Sequence, residues 1–271
     1  MANRFIILIS IFFIFITFQF TSCYGLHFNR ETQEEFLKTY TVQPGTKLEL
    51  YNRNGSVFVS TWDKDYVEVY AVKRSRYGKR DLGKVKIEVK QNGRLTVRTK
   101  SDRFISGVSV DYEIKLPGDV VVDRVENSNG MIKLEGAKGD ARLITSNGSI
   151  TVKDWDGYID AKTSNGSIRI FGNTGIDKVE TSNGSIEAEI SRLGEDNVKI
   201  TTSNGSIKLY ISENINADLE MKTSNSRIQL NDVEILTRNV SKNYIKGKVG
   251  KGGNLIFVKT SNGSIDLYKL R

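Results

Sequence analysis

The chain holds one cysteine and one histidine in 271 residues. A lone Cys23 excludes an intrachain disulfide, so stability must come from packing and hydrogen bonds. A lone His27, close to the N-terminus, leaves the body of the chain without a Ser-His-Asp triad or a histidine-based metal site. Proline is nearly as scarce: Pro44 and Pro117 are the only two, and both fall outside the regular repeats, as the loss of a ladder donor requires. The apolar run Phe5 to Phe18 is short for a membrane span and follows Arg4, the only charge in residues 1–22. It reads as the core of a secretory signal peptide.

The segment Phe20-Thr21-Ser22-Cys23 resembles a bacterial lipoprotein signal, in which cleavage before the cysteine leaves it lipidated, although Phe20 stands where leucine is usual. Ordinary cleavage near Gly25, discarding Cys23, is the other reading. The organisation expected is a signal peptide over 1–22, a tether over 23–43 with a helical turn around Glu34 to Lys38, and a folded domain over 44–271. Its N-terminal part, 44–125, should be irregular and its coils regular over 126–271. Without residues 1–22 there remain 39 Lys+Arg against 32 Asp+Glu, a basic surface suited to anionic partners. In an exported protein these are membrane headgroups, an acidic envelope glycan, lipopolysaccharide or an acidic surface protein, and not nucleic acid.

An internal repeat dominates what is present. Thr-Ser-Asn-Gly-Ser-Ile begins at Thr145, Thr163, Thr181, Thr202 and Thr260, with variants at Asn127 and Thr223 and a looser relative at Asn52. The central asparagines, Asn129, Asn147, Asn165, Asn183, Asn204, Asn225 and Asn262, are spaced by 18, 18, 18, 21, 21 and 37 residues. Such a period is one turn of a β-solenoid, and the last step reads as two turns, one of them degenerate. The fold class expected is all-β: a single elongated, right-handed parallel β-solenoid with a ladder of Asn-Gly corners.

Apolar residues recur four before the asparagine (Val125, Leu143, Ala161, Val179, Ile200, Met221, Val258) and three and five after it, as in Ile150 and Val152. Inward positions are therefore even before the asparagine and odd after it, so each corner must contain a kink, for which glycine supplies a positive φ. The same parity points the motif threonine and asparagine inward, where stacked coils about 4.8 Å apart would let identical amides hydrogen-bond in a ladder.

Residues 46–125 carry the same grammar loosely. Leu48 to Val59 makes a coil around Asn54, Thr61-Trp62-Asp63 echoes Asp154-Trp155-Asp156, and Val67 to Val72, Val85 to Val89, Leu95 to Val97 and Val110 to Leu116 alternate as strands. With Leu116-Pro117 before the first full coil, these features resemble a widespread bacterial family of candidate adhesins of unassigned function, similar to autotransporter-adhesin heads. The resemblance covers about residues 40–271 and implies a solenoid and an adhesin-like role. Ser226 for glycine and Met131 for serine depart from the pattern.

No catalytic residue, metal ligand or cofactor site is expected. Polysaccharide-cleaving β-helices use carboxylate clusters on an outer face. The outward positions four after each asparagine, Lys133, Thr151, Arg169, Glu187, Lys208, Gln229 and Asp266, stack no acidic pair. A carbohydrate-active enzyme is the alternative to a non-catalytic surface scaffold. Two basic segments are candidates for anionic-surface binding: Lys73, Arg74, Arg76, Lys79 and Arg80, expected on a loop between strands, and Lys246, Lys248 and Lys251, expected in the degenerate coil. Because the last coil ends close to Arg271, its bare edge could also template a second copy.

Overall fold

A computed structural model describes residues 32–101, 107–172 and 174–270. Cys23 and the signal and first tether residues lie outside the described residues. Among the described residues, two facing sheets of 12 and 11 strands hold all the strands, and one short helix is the only other regular element. Each coil gives one strand to the first sheet and one to the second before it returns, and in seven of the coils the turn between the two is Asn-Gly.

The regular stack follows the repeat. The Asn129 coil (Val121–Glu126, Ile132–Glu135) lies beside the Asn147 coil (Ala141–Ile144, Ile150–Lys153), with Ile132 opposite Ile150 and Val125 opposite Leu143. Then come the Asn165 coil (Gly157–Lys162, Ile168–Ile170), the Asn183 coil (Thr174–Asn183, Ile186–Ile190) and the Asn204 coil (Val198–Asn204, Ile207–Ile211), all parallel and in register except for a shift between Ile159 and Asp160, where Thr174–Asn183 carries one extra residue.

At both ends the spatial order departs from the chain order. The Asn54 coil (Lys47–Tyr51, Val57–Trp62) pairs with the Asn129 coil on one side, and on the other with a coil made by Arg94–Ser101 and Val108–Pro117. The chain thus builds outward before it skips back over its first coil, and the coil read around Asn54 takes its place in the regular stack. Pro117 closes its strand, where the ladder stops. At the far end the C-terminal Asn262 coil (Leu255–Thr260, Ile265–Lys269) inserts between the Asn204 coil and the Asn225 coil (Ala217–Thr223, Ile228–Asn231). Nine coils stacked at about 4.8 Å separate the outermost two by roughly 40 Å.

Three expectations are corrected here. The tether's supposed helical turn is strand: Thr32–Thr41 pairs antiparallel with Tyr66–Ser75, which extends the second sheet beyond Val108–Pro117. The step of 37 residues holds a hairpin, not a degenerate coil: Leu236–Ser241 and Tyr244–Val249 run antiparallel and cap Ala217–Thr223. The last coil in sequence is not an exposed edge, because it has a coil on each side. The open edge of the second sheet at this end is Ile228–Asn231.

The core is the space between the sheets. Every apolar position four before an asparagine is fully buried, as are those three and five after it, except at the end coil, where Leu230 stays 37% exposed. Trp155 is also buried, and its Nε1–H donates to Gly139 O at 2.8 Å, so the one polar atom of that ring is satisfied.

The motif residues hold coil to coil. The buried hydroxyls of Thr163, Thr181 and Thr202 donate to the glycine carbonyl of the preceding coil, at 2.9 Å to Gly148 and 3.0 Å to Gly166 and Gly184. The asparagine ladder exists: Asn129 donates its side-chain N–H to Asn54, Asn147 to Asn129, Asn165 to Asn147, Asn183 to Asn165, Asn204 to Asn183, Asn262 to Asn204 and Asn225 to Asn262, all at 2.7–2.9 Å. It runs on the solvent side, however, and not inward. Strand alternation ends at the threonine, so Ser146 and Asn147 are both exposed before Ile150 returns to the core.

The glycine is also used differently from the expectation. Among the corner glycines only Gly55 and Gly130 have φ in the left-handed region, at 108° and 134°. At Gly148, Gly166, Gly184, Gly205 and Gly263 the requirement is close approach, since a Cβ there would overlap the carbonyl oxygen of the neighbouring coil's glycine. Ser226 is tolerated at the end of the stack: the bond from a corner glycine N–H to the next asparagine carbonyl, present at Gly205 at 3.0 Å, is not formed by Gly263 among the described residues.

Candidate functional site

With the repeat residues engaged in holding coils together, chemistry must be sought on outward positions and at the ends. The first end carries the densest charge. Val85–Gln91 and Arg94–Ser101 form an antiparallel hairpin whose apolar residues alternate with outward cations, and pairing sets Lys86 opposite Lys100 and Glu88 opposite Arg98. A groove of about 800 Å³ is lined by Arg53, Gly83, Lys84, Lys86, Arg98, Thr99, Lys100 and Ser101. A second, of about 330 Å³, shares Arg98 and Lys100 and adds Glu88, Lys90, Asn92, Arg94 and Thr96. Seven cations therefore face one carboxylate.

Their partners set what remains for a ligand. Lys84 pairs with Asp81 at 2.6 Å, Arg94 pairs with Glu49, and Glu88 takes Lys100 at 2.9 Å and Lys90 at 3.8 Å. The Lys100 hydrogen bond holds the Glu88 carboxyl below the usual carboxylate range. Arg98 stacks on the Tyr51 ring, 4.2 Å from its centroid, which fixes the guanidinium while leaving its edge donors outward. Lys86 and Arg53 make no ion pair among the described residues. Thr99 bridges the wall to the core, with its hydroxyl 2.6 Å from the Tyr112 hydroxyl and donating to Asn52 Oδ1 at 2.9 Å. Burial pushes the Tyr112 phenol up to about 12.

The cations singled out in the sequence are divided by the fold. Lys73 and Arg74 belong to the strand Tyr66–Ser75, and Lys79 and Arg80 to a short helix, Lys79–Leu82, so this segment is not one loop. Lys73 is buried, with Nζ 2.6 Å from Glu34, and donates to Val85 O at 3.3 Å, which removes it from any surface. Arg74 is engaged by Asp111. Arg76, Lys79 and Arg80 are exposed, just ahead of Lys84 in the chain. Lys246 and Lys248 face Glu220 and Asp218 at 3.7 and 3.9 Å, and with exposed Lys251 they sit at the opposite end of the stack. The fold does not bring the two segments together. The groove cations were missed, yet the signal was present: Lys86-x-Glu88-x-Lys90 and Arg94-x-Thr96-x-Arg98-x-Lys100 alternate with apolar residues across Asn92-Gly93.

Carboxylates do converge in one place. Burial first, and then Asp140, Asp196 and Asp160, raise the Asp177 carboxyl above its ordinary value. None of the four lines a described groove, and no group of three or more metal-ligating residues occurs among the described residues. No helix among the described residues is long and apolar enough to cross a membrane.

Solved structures similar to this chain include a candidate cell adhesion protein from Clostridium sporogenes, at 15% identity and a TM-score of 0.36 over 88% of this chain and 100% of the other. A candidate adhesin from Bacteroides fragilis matches at 13% and 0.38 over 86% and 97%, and a candidate lipid-binding protein from Parabacteroides distasonis at 13% and 0.31 over 88% and 97%. No curated protein matches the sequence. The family model described as Toastrack DUF4097 matches residues 125–268, the run of stacked Asn-Gly coils, and the chain belongs to that family.

Proposed function

We propose that this protein is a non-catalytic, adhesin-like surface scaffold, held to a bacterial membrane by a lipid on Cys23, whose basic end rests on an anionic envelope surface. The observation that carries the reading is where the chain enters the fold. Thr32 opens the first strand opposite Ser75, next to exposed Arg76, Lys79 and Arg80 and at the grooved end of the stack. Eight residues lie between Cys23 and Thr32, nine chain steps with a reach of at most about 32 Å. A lipid there would tether the basic end to the headgroup layer, and the opposite end lies roughly 40 Å from it along the stack.

Each cation near an anionic membrane surface contributes about 1 kcal/mol, and salt screens the attraction within about 8 to 10 Å. The test is co-sedimentation of the soluble chain from residue 26 with phosphatidylglycerol vesicles, against phosphatidylcholine vesicles, at low and high salt. Replacing Lys86, Arg98, Arg76, Lys79 and Arg80 by glutamine should abolish binding that the parent shows at low salt. Binding that is unchanged by the five replacements, or insensitive to salt, would overturn the proposal.

A further inference from the structure

Eight Asn-Gly pairs occur in the chain: seven at coil corners and one, Asn92-Gly93, at the tip of the hairpin beside the basic groove. Asn-Gly is the asparagine junction most open to self-attack, because glycine has no side chain to shield its nitrogen from the preceding side-chain amide carbon. A chain that repeats this dipeptide would be expected to degrade at every coil.

The stack blocks the attack twice over at six of these pairs. The glycine N–H that would attack is donated to the asparagine carbonyl of a neighbouring coil: Gly55 to Asn129, Gly130 to Asn147, Gly148 to Asn165, Gly166 to Asn183, Gly184 to Asn204 and Gly205 to Asn262, at 2.9–3.1 Å. The amide that would be attacked is held in the ladder, and at Asn165 it both donates to Asn147 and accepts from Asn183. Ring closure would need both bonds broken and the side chain rotated out of line with its neighbours. Asn92 has none of this. It is exposed, and neither its side chain nor the Gly93 N–H has a hydrogen-bond partner among the described residues.

We propose that Asn92 is the first site of spontaneous deamidation in this protein, and that the stack protects the six doubly bonded corner Asn-Gly pairs from the same reaction. The Gly93 nitrogen forms a bond to Asn92 Cγ, and the Cγ–Nδ2 bond breaks with ammonia leaving. Water then opens the cyclic imide to aspartate or isoaspartate, so the net change is water in and ammonia out. The product is a carboxylate at the rim of the groove, on the turn between Lys90 and Arg94. The inference rests on hydrogen bonds and exposure alone and does not depend on the proposed function.

The experiment incubates the purified chain at mildly alkaline pH, folded and in urea, and follows each Asn-Gly peptide by mass spectrometry that separates aspartate from isoaspartate. In the folded chain the Asn92 peptide should gain one mass unit first. The six protected corners should lag by about a hundredfold or more, the factor given by a local opening of about 2.7 kcal/mol. In urea the difference should collapse. Folded corners that deamidate as fast as Asn92, an inert Asn92, or a difference that survives in urea would each overturn the proposal.

Discussion

Asn225 donates its side-chain amide to Asn262, which follows it by 37 residues, and Asn262 donates in turn to Asn204, which precedes both. The C-terminal coil is therefore an inner layer laid between two coils made earlier. Truncating Leu267, fully buried, to alanine should cost about 2 to 5 kcal/mol. Leu230, at the same motif position, keeps 37% of its surface exposed, so Leu230→Ala should cost about half as much or less. Urea unfolding of the two variants checks this, and equal costs would contradict the layer order.

The corner chemistry predicts an unequal tolerance within one hexapeptide. Thr181→Val removes the buried donor to Gly166 O and should cost about 1 to 3 kcal/mol. Exposed Ser182→Ala should stay within about 0.5 kcal/mol. Gly166→Ala drives a Cβ into the Gly148 carbonyl and should cost about 1 to 3 kcal/mol or more. Thermal unfolding of the three variants would show whether the ranking holds.

How much of this was legible in the sequence depended on whether the signal was local. The core positions around Ile150 and Leu143 were readable, because a parallel stack in register repeats the same alternation at each coil. The side on which the asparagines stand was not. It depends on the turn breaking the alternation at two successive residues, Ser146 and Asn147, where a strand rule assumes one kink. The order of the end coils was hidden for another reason: the corners at Asn204 and Asn262 are identical in sequence, so the repeat does not say that the C-terminal coil lies between the Asn204 and Asn225 coils. For the candidate site, a dense run such as Lys73 to Arg80 drew attention, whereas the groove arises from cations spread over two strands and united by cross-strand pairing.

Lys73 and Lys86 should separate stability from binding. Lys73 is buried against Glu34 and the Val85 carbonyl, so Lys73→Ala should destabilise by about 1 to 3 kcal/mol while leaving salt-dependent vesicle binding intact. Lys86→Ala, on the groove wall, should do the reverse: stability within about 0.5 kcal/mol and vesicle affinity lowered about fivefold. Paired urea titrations and vesicle binding curves read both quantities, and loss of binding in the Lys73 variant at full folding would contradict the assignment.

Tyr112 predicts how the basic end responds to alkali. Its phenol is buried beneath the groove wall and pushed from the ordinary 10.0 up to about 12, mainly by desolvation, with the Thr99 hydrogen bond acting the other way. Between those two values the unfolded chain has lost this proton and the folded chain has kept it, so stability must fall as pH rises through the window. Below the unfolded value the contribution is constant, and above the folded one the loss is complete, at about 1.4 kcal/mol per pH unit crossed. Tyr112→Phe removes the titrating group, so the variant, though weaker at neutral pH for want of the Thr99 bond, should lose less stability over the same alkaline range. Urea midpoints of the parent and the variant taken from pH 9 to 12 would show the two curves converging. Parallel curves would mean that Tyr112 is not the group that is titrating.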